Sequence, residues 1–392
     1  MLRIKVGTGI AMAAALVFGA GPAFAASGWT IVSAPPTGEN ANLTGVSAVS
    51  DTDAWAVGSE NGAPNTGIGA KVLIDNWNGT AWSQVATPPT PQNTASLAAV
   101  SASSATDAWA VGRTQSNRSS FFPLALHWNG TAWSVSASAT AALSGQIADG
   151  VADISPTDAY AIGGGLGSAH TGLVAQWNGT TWTRVTVPVP AGAGPTSTLN
   201  AISADGPDDV WITGTYQLSP TDLRRETYSL HWNGSTWSVV PMPLNPSADI
   251  NAFYQLNAIQ ANSPTDVWAV GYSSVVDSTN ASTLIEHWNG TAWSIVPSPS
   301  PGHFAALGGV TTSNAANDVW AVGETLPAGS TQGQTLTLNW NGTAWTTVAS
   351  PNAGSPDGVG SVSTNPGAAI VWAVGFSGTS GSFNPLAMET SG

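Results

Sequence analysis

Few residues in this chain can do acid, base or anion chemistry, and no spacing forces them together. Three are candidates for proton transfer: Asp149, His170 and His303. Imidazole titrates near neutral pH, so either histidine beside a carboxylate such as Asp149 or Asp249 would make a general acid–base pair. Arg113, Arg118, Arg224 and Arg225 carry planar guanidinium groups suited to a carboxylate or phosphate, or to pairing with Asp222 and Glu226. His127, His231 and His287 each precede a Trp-Asn-Gly string and read as repeat positions rather than catalysts. The absence of cysteine excludes disulfides, thiolate nucleophiles and cysteine-bound metal. No P-loop, EF-hand loop, G-x-S-x-G or H-E-x-x-H string occurs, so neither metal nor cofactor is expected.

Composition narrows the partners. The 392 residues include 8 basic and 22 acidic side chains, a formal charge of -14, with Lys5 and Lys71 the only lysines. No basic surface can be assembled to displace counterions, which argues against nucleic acid and anionic membranes. The 19 tryptophans are foreign to a disordered chain. Arg3 and Lys5 precede an apolar run from Ile10 to Ala20 and the small-residue pattern Ala23-Phe24-Ala25. Residues 1–25 therefore read as a cleaved secretory signal, leaving 26–392 as a single secreted domain with no membrane span, expected to be a monomer.

The elements that must position any site come from a repeat. A string of the type D-[AV]-W-A-V-G places its aromatic at Trp55, Trp109, Tyr160, Trp211, Trp268, Trp320 and Trp372. Between copies lies W-N-G-T-A-W, from Trp77–Trp82 through Trp340–Trp345. The missing hairpin is split across the termini, around Trp29 and at Leu386–Thr390. All 19 tryptophans fill repeat slots, with Tyr160 and Thr390 in the remaining two. Alternation and β-branched content make each unit four strands, the first of the form L-x-[small]-[VI]-S, and no segment shows a helical apolar period. Asn78-Gly79 and its equivalents predict two-residue type I′ turns, with Trp77 opposite Thr80 and the fourth strand spanning Thr80 to Val85.

Each sheet has a bulky face and a small face, and can bury both only by stacking head to tail on its neighbours. The expected architecture is an all-β, seven-bladed β-propeller of four-stranded blades. Strand 28–33 would pair with the last blade, 359–390, and close the ring. The unit length and tryptophan-rich hairpin resemble kelch/galactose-oxidase-like and Asp-box (sialidase-like) propellers. The W-N-G-T-A-W turn is similar to an Asp box in its Gly-to-Trp spacing, with Trp77 in place of the Asp and Ala81 in place of the Thr. The copper chemistry that the first resemblance implies needs a Cys–Tyr crosslink, and sialidase-like chemistry implies three cooperating arginines with an R-I-P string. Neither set is present.

Between units, the Asn-Gly turns and the Ser50–Asp53 turn hardly vary, whereas the opposite loops vary in length and content. Variable loops on a rigid frame are where binding resides. Phe121, Phe122, Tyr216, Tyr254 and Phe304 belong to that loop side and suit sugar or peptide, as do Arg224 and Arg225. A second variable set, Thr44, Ala98, Asp149, Asn200, Asn257, Gly308 and Gly360, sits in the first strands at the mouth of the expected channel. Asp149, Asn200 and Asn257 would form a polar ligand site there. The expected function is a non-catalytic module binding carbohydrate or protein; the alternative is an extracellular polysaccharide hydrolase or lyase. The Asp53-type residue that opens the second strand reads as a turn hydrogen bond.

Overall fold

A computed structural model describes residues 28–391, apart from 36, 64–67, 118–119, 166–171, 194–196, 220–223, 245, 247–248, 250, 276–278, 314–316, 366 and 380–381. The signal reading of residues 1–25 lies outside the described residues, as do His170, Arg118 and Asp222. The chain is all-β except for one short helix among the described residues. No helix among them is long and apolar enough to cross a membrane.

Each repeat unit forms four antiparallel strands in chain order. In the first they are Asn42–Ser50, Asp53–Glu60, Lys71–Trp77 and Trp82–Gln84. The second and third units form separate four-stranded sheets of the same order. The next three share one twelve-stranded sheet, joined by single parallel pairs, Arg225 with Phe253 and Ala281 with Phe304. The last sheet combines both termini: Thr30–Val32 pairs antiparallel with Ser382–Ser391, Thr30 opposite Glu389 and Val32 opposite Ala387.

The repeated turns depart from the expected geometry. Trp77 pairs directly with Trp82, and the loop between them spans four residues, closed by Asn78 N–H donating to the Ala81 carbonyl at 3.3 Å. Only the glycine takes a positive φ, +90° at Gly79. The Asn78 side-chain oxygen accepts from Thr80 and Ala81 N–H, both at 3.0 Å, so the asparagine closes the turn with its side chain instead of a left-handed backbone. The fourth strand is correspondingly shorter than expected, Trp82–Gln84. The helix Ala137–Ala142 was also unforeseen. It is too short to show a period, yet four alanines and the Ser136 cap, whose hydroxyl accepts from Ala139 N–H, favour it locally.

Tryptophan fills the space between sheets. Trp55 lies 4.9 Å from Trp128 and 5.1 Å from Trp133 of the next unit, and Trp109 4.9 Å from Trp182. The Asp53-type residue makes the expected turn hydrogen bond, Asp107 Oδ2 accepting from Ser103 Oγ at 2.8 Å and Asp266 Oδ2 from Asn262 Nδ2 at 3.1 Å, and its other oxygen meets the third strand of the same sheet. Asp107, Asp209 and Asp266 each lie 2.7 Å from Nε2 of His127, His231 and His287, whose rings stack on Trp109, Trp211 and Trp268. Asn76 fills the same role toward Asp53 at 2.9 Å.

Candidate functional site

The first strands of the units line one cavity of about 460 Å³. Their closing serines stitch neighbours together: Ser47 Oγ accepts from Ala102 N–H, Ser101 Oγ from Asp153 N–H and Ser203 Oγ from Ala261 N–H, at 3.1, 2.9 and 3.0 Å. The serine was visible in the repeat; its bond to the next unit was not.

All residues of the variable first-strand set, Thr44 through Gly360, line this cavity. Asp149, Asn200 and Asn257 contribute polar side chains to it, and Gly308 and Gly360 contribute bare backbone. All three polar groups have hydrogen-bond partners within the protein. Asn257 Nδ2 donates to the Leu307 carbonyl at 2.8 Å, and Asn200 Oδ1 accepts from Thr198 Oγ1 at 3.0 Å. Asp149 accepts from Gly164 N–H. Burial pushes its carboxyl up to about 6, against the opposing pull of Gly164 N–H and the Arg113 guanidinium. The Arg113 guanidinium carbon also sits 5.3 Å from the centre of the Phe121 ring.

The loop-side aromatics divide into packed and presented rings. Tyr254 is 8 % exposed and belongs to the core between the fourth and fifth units. Tyr216 lies edge-on to the buried Tyr228 at 5.9 Å. Phe122 is exposed at 44 %. Phe253, Tyr272 and Phe304 form a continuous row with centroids 5.7 and 6.4 Å apart. The two parallel pairs that join the fourth, fifth and sixth units fall at this row, and one of them sets exposed Arg225 against Phe253. Burial raises the Tyr272 hydroxyl above its ordinary range, and Arg225 acts in the opposite direction. Arg224 is half-buried at the same edge, beside buried Glu226. His303 precedes Phe304, and its Nδ1 is buried without a hydrogen-bond partner. Singly, Phe253 and Tyr272 carry no motif, and only the junctions between units align them with Phe304.

No protein-family model matches the chain, and no curated protein matches it in sequence. Solved structures do. YCF48 bound to D1 peptide superposes with a TM-score of 0.56 at 14% identity, covering 95% of this chain and 97% of that one. An ulvan lyase of polysaccharide lyase family PL25, bound to -[GlcA(1-4)Rha3S]-, gives 0.56 at 10% identity over 93% and 96%. Trypanosoma rangeli sialidase gives 0.51 at 10% identity, covering 93% of this chain and 60% of the sialidase. The fold is a β-propeller. The sialidase-like side of the resemblance is thereby supported, and nothing singles out kelch repeats. At these identities the propeller neighbours speak for architecture alone.

Proposed function

We propose that the chain, after loss of residues 1–25 as a secretory signal, is an extracellular, closed seven-bladed propeller that binds carbohydrate through its loop side. Two sets of bonds support closure. Val46 and Ala48 of the first unit donate N–H to Ser361 and Ser363 of the last at 3.1 and 3.0 Å, and Thr30–Val32 completes the terminal sheet. The function rests on one observation: the row Phe253, Tyr272 and Phe304, flanked by Arg225. Ring faces cover the apolar C–H surface of a sugar, and a guanidinium beside them fixes a polar or anionic substituent. Phe121, Phe122, Tyr216 and Arg224 form the outer rim. Asp149, Asn200 and Asn257 would receive a group that enters the cavity mouth. Tyr254 packs beneath the shelf.

That an ulvan lyase of this fold is recorded with a glucuronate-containing saccharide and YCF48 with a peptide makes both ligand classes compatible with a propeller. The charge here favours the sugar, since the shelf offers a single arginine in a chain of net charge -14 rather than an array for an acidic peptide. The second reading, a polysaccharide hydrolase or lyase, draws on Asp149, whose carboxyl titrates near 6 at the cavity mouth beside Arg113. A glycan-array screen of residues 26–392 tests the first reading: signal is expected, and a Phe304→Ala variant should lose it. A blank array together with capture of peptide ligands would transfer the function to proteins. New reducing ends from a polysaccharide, abolished by Asp149→Asn, would establish the second reading.

A further inference from the structure

Asp75 occupies a position that the repeat gives to apolar residues. Two residues before the hairpin tryptophan, other units carry Leu126, Ala175, Leu230 and Leu338. Asp75 is 1 % exposed, and neither carboxyl oxygen has a hydrogen-bond partner. Alternation along Lys71–Trp77 puts it on the face of Leu73 and Trp77. Those residues pack on Trp372, Val374 and Ala387 of the last sheet, with Trp77 and Trp82 at 4.8 and 4.9 Å from Trp372. The carboxyl is therefore sealed into the seam where the two ends of the chain meet.

The surroundings cannot hold a charge. Asn42–Ser50, Trp82–Gln84 and Ile370–Thr379, which build the seam, contain no titratable residue. On the neighbouring strand Asp53 is bonded to Asn76, while Glu60 repels an ionised Asp75 and stands in register with Lys71. From the last sheet Glu389, in register with Trp372, and Asp357, fully buried in the strand Asp357–Ser363, add further acids and no base. Glu286 fills the same repeat slot in the fifth unit, but there Thr227 donates to it at 3.5 Å and hydroxyl-bearing Ser229 lines the seam. Asp75 has no such relief.

We propose that Asp75 is a pH-sensitive clasp between the first and last sheets: its neutral carboxyl lets the seam close, and loss of its proton to solvent loosens it. An unpaired carboxylate in an apolar seam is far costlier than the neutral acid, and the seam joins ends of the chain that no covalent bond holds together. The strands Thr30–Val32 and Ser382–Ser391 would open first.

Hydrogen exchange of the mature chain, corrected for intrinsic rates, tests this with peptides covering 28–50 and 370–391. Their protection should fall as pH rises through about 7, where burial and then Glu60 place the Asp75 carboxyl. Asp75→Leu should keep protection across that range, and Asp75→Asn, which preserves size should the leucine variant not fold, should do the same. Glu286→Leu should leave the fall in place. Undiminished protection in the wild-type chain, or an unchanged fall in Asp75→Asn, would overturn the clasp.

Discussion

At the residue scale, tryptophan builds and the other aromatics vary, a division readable from the count because all 19 tryptophans sit in repeat slots. The structure adds which indoles find partners. Trp77 Nε1 reaches the Asp51 carbonyl at 3.0 Å and Trp293 Nε1 the Ser229 hydroxyl at 3.1 Å, whereas the Nε1 groups of Trp55, Trp82 and Trp109 have no bond partner. Trp211, fully buried, is expected to cost about 3–5 kcal/mol on replacement by alanine, checked by urea denaturation. Asp149 gives a pH-dependent prediction for ligand that meets it. Its carboxyl is neutral below about 6 and charged above, so binding of an anionic group at the cavity mouth should weaken as pH rises through that value. An Asp149→Asn variant should bind with no such dependence; titration calorimetry at several pH values reads both. Asp75 and Glu286 stand out in the sequence only as acids in a slot that other units fill with Leu or Ala; their burial without a full set of partners is visible only in the structure.

At the scale of elements, the four strands per unit were legible because alternation and the Asn-Gly strings repeat. The turn type was not. An Asn-Gly pair signals a tight turn, but whether asparagine contributes backbone or side chain depends on Thr80 and Ala81 N–H pointing back at it. Gly79 has φ +90° and an added Cβ would meet Thr52 at 2.9 Å, so Gly79→Ala should destabilise by about 1–2 kcal/mol. A denaturant midpoint measures it. The serine stitches are likewise invisible from one unit, because the N–H they serve belongs to the next. Replacing Ser101 with alanine leaves Asp153 N–H without its acceptor and should cost about 1 kcal/mol by the same measurement. The row Phe253, Tyr272 and Phe304 was hidden for a related reason: its members come from two units, joined by pairings that no local pattern announces.

At the scale of the whole molecule, buried acids set how stability varies with pH. Burial raises Asp75 to about 7 and Glu286 to about 8, and burial with the neighbouring Asp107 raises Asp153 to about 8. Each is higher in the folded chain than in the unfolded one. Its contribution is fully present below the unfolded value and lost as pH climbs through the folded one. Asp266 runs the other way, held down by His287 and Asn262 against burial, and favours the folded chain at higher pH. Three raised groups outweigh it, and a charge of -14 adds self-repulsion as pH rises. Thermal midpoints should therefore be highest near pH 4–5 and fall toward pH 8. A midpoint that rises over that interval would refute this ordering. The repeat made the architecture readable in outline because a period states how many times a unit recurs. The proposed ligand has no such redundancy to reveal it, since the loops that would bind it differ from unit to unit. The most direct test of the proposed binding surface is calorimetric titration of residues 26–392 with an oligosaccharide selected on the array. Wild type is compared with an Arg225→Ala, Phe304→Ala double variant and with Thr131→Ala in an opposite-side turn. Binding at least about tenfold weaker in the double variant and unchanged in the turn variant is expected. Full affinity in the double variant, with loss in the turn variant, would contradict the proposed surface.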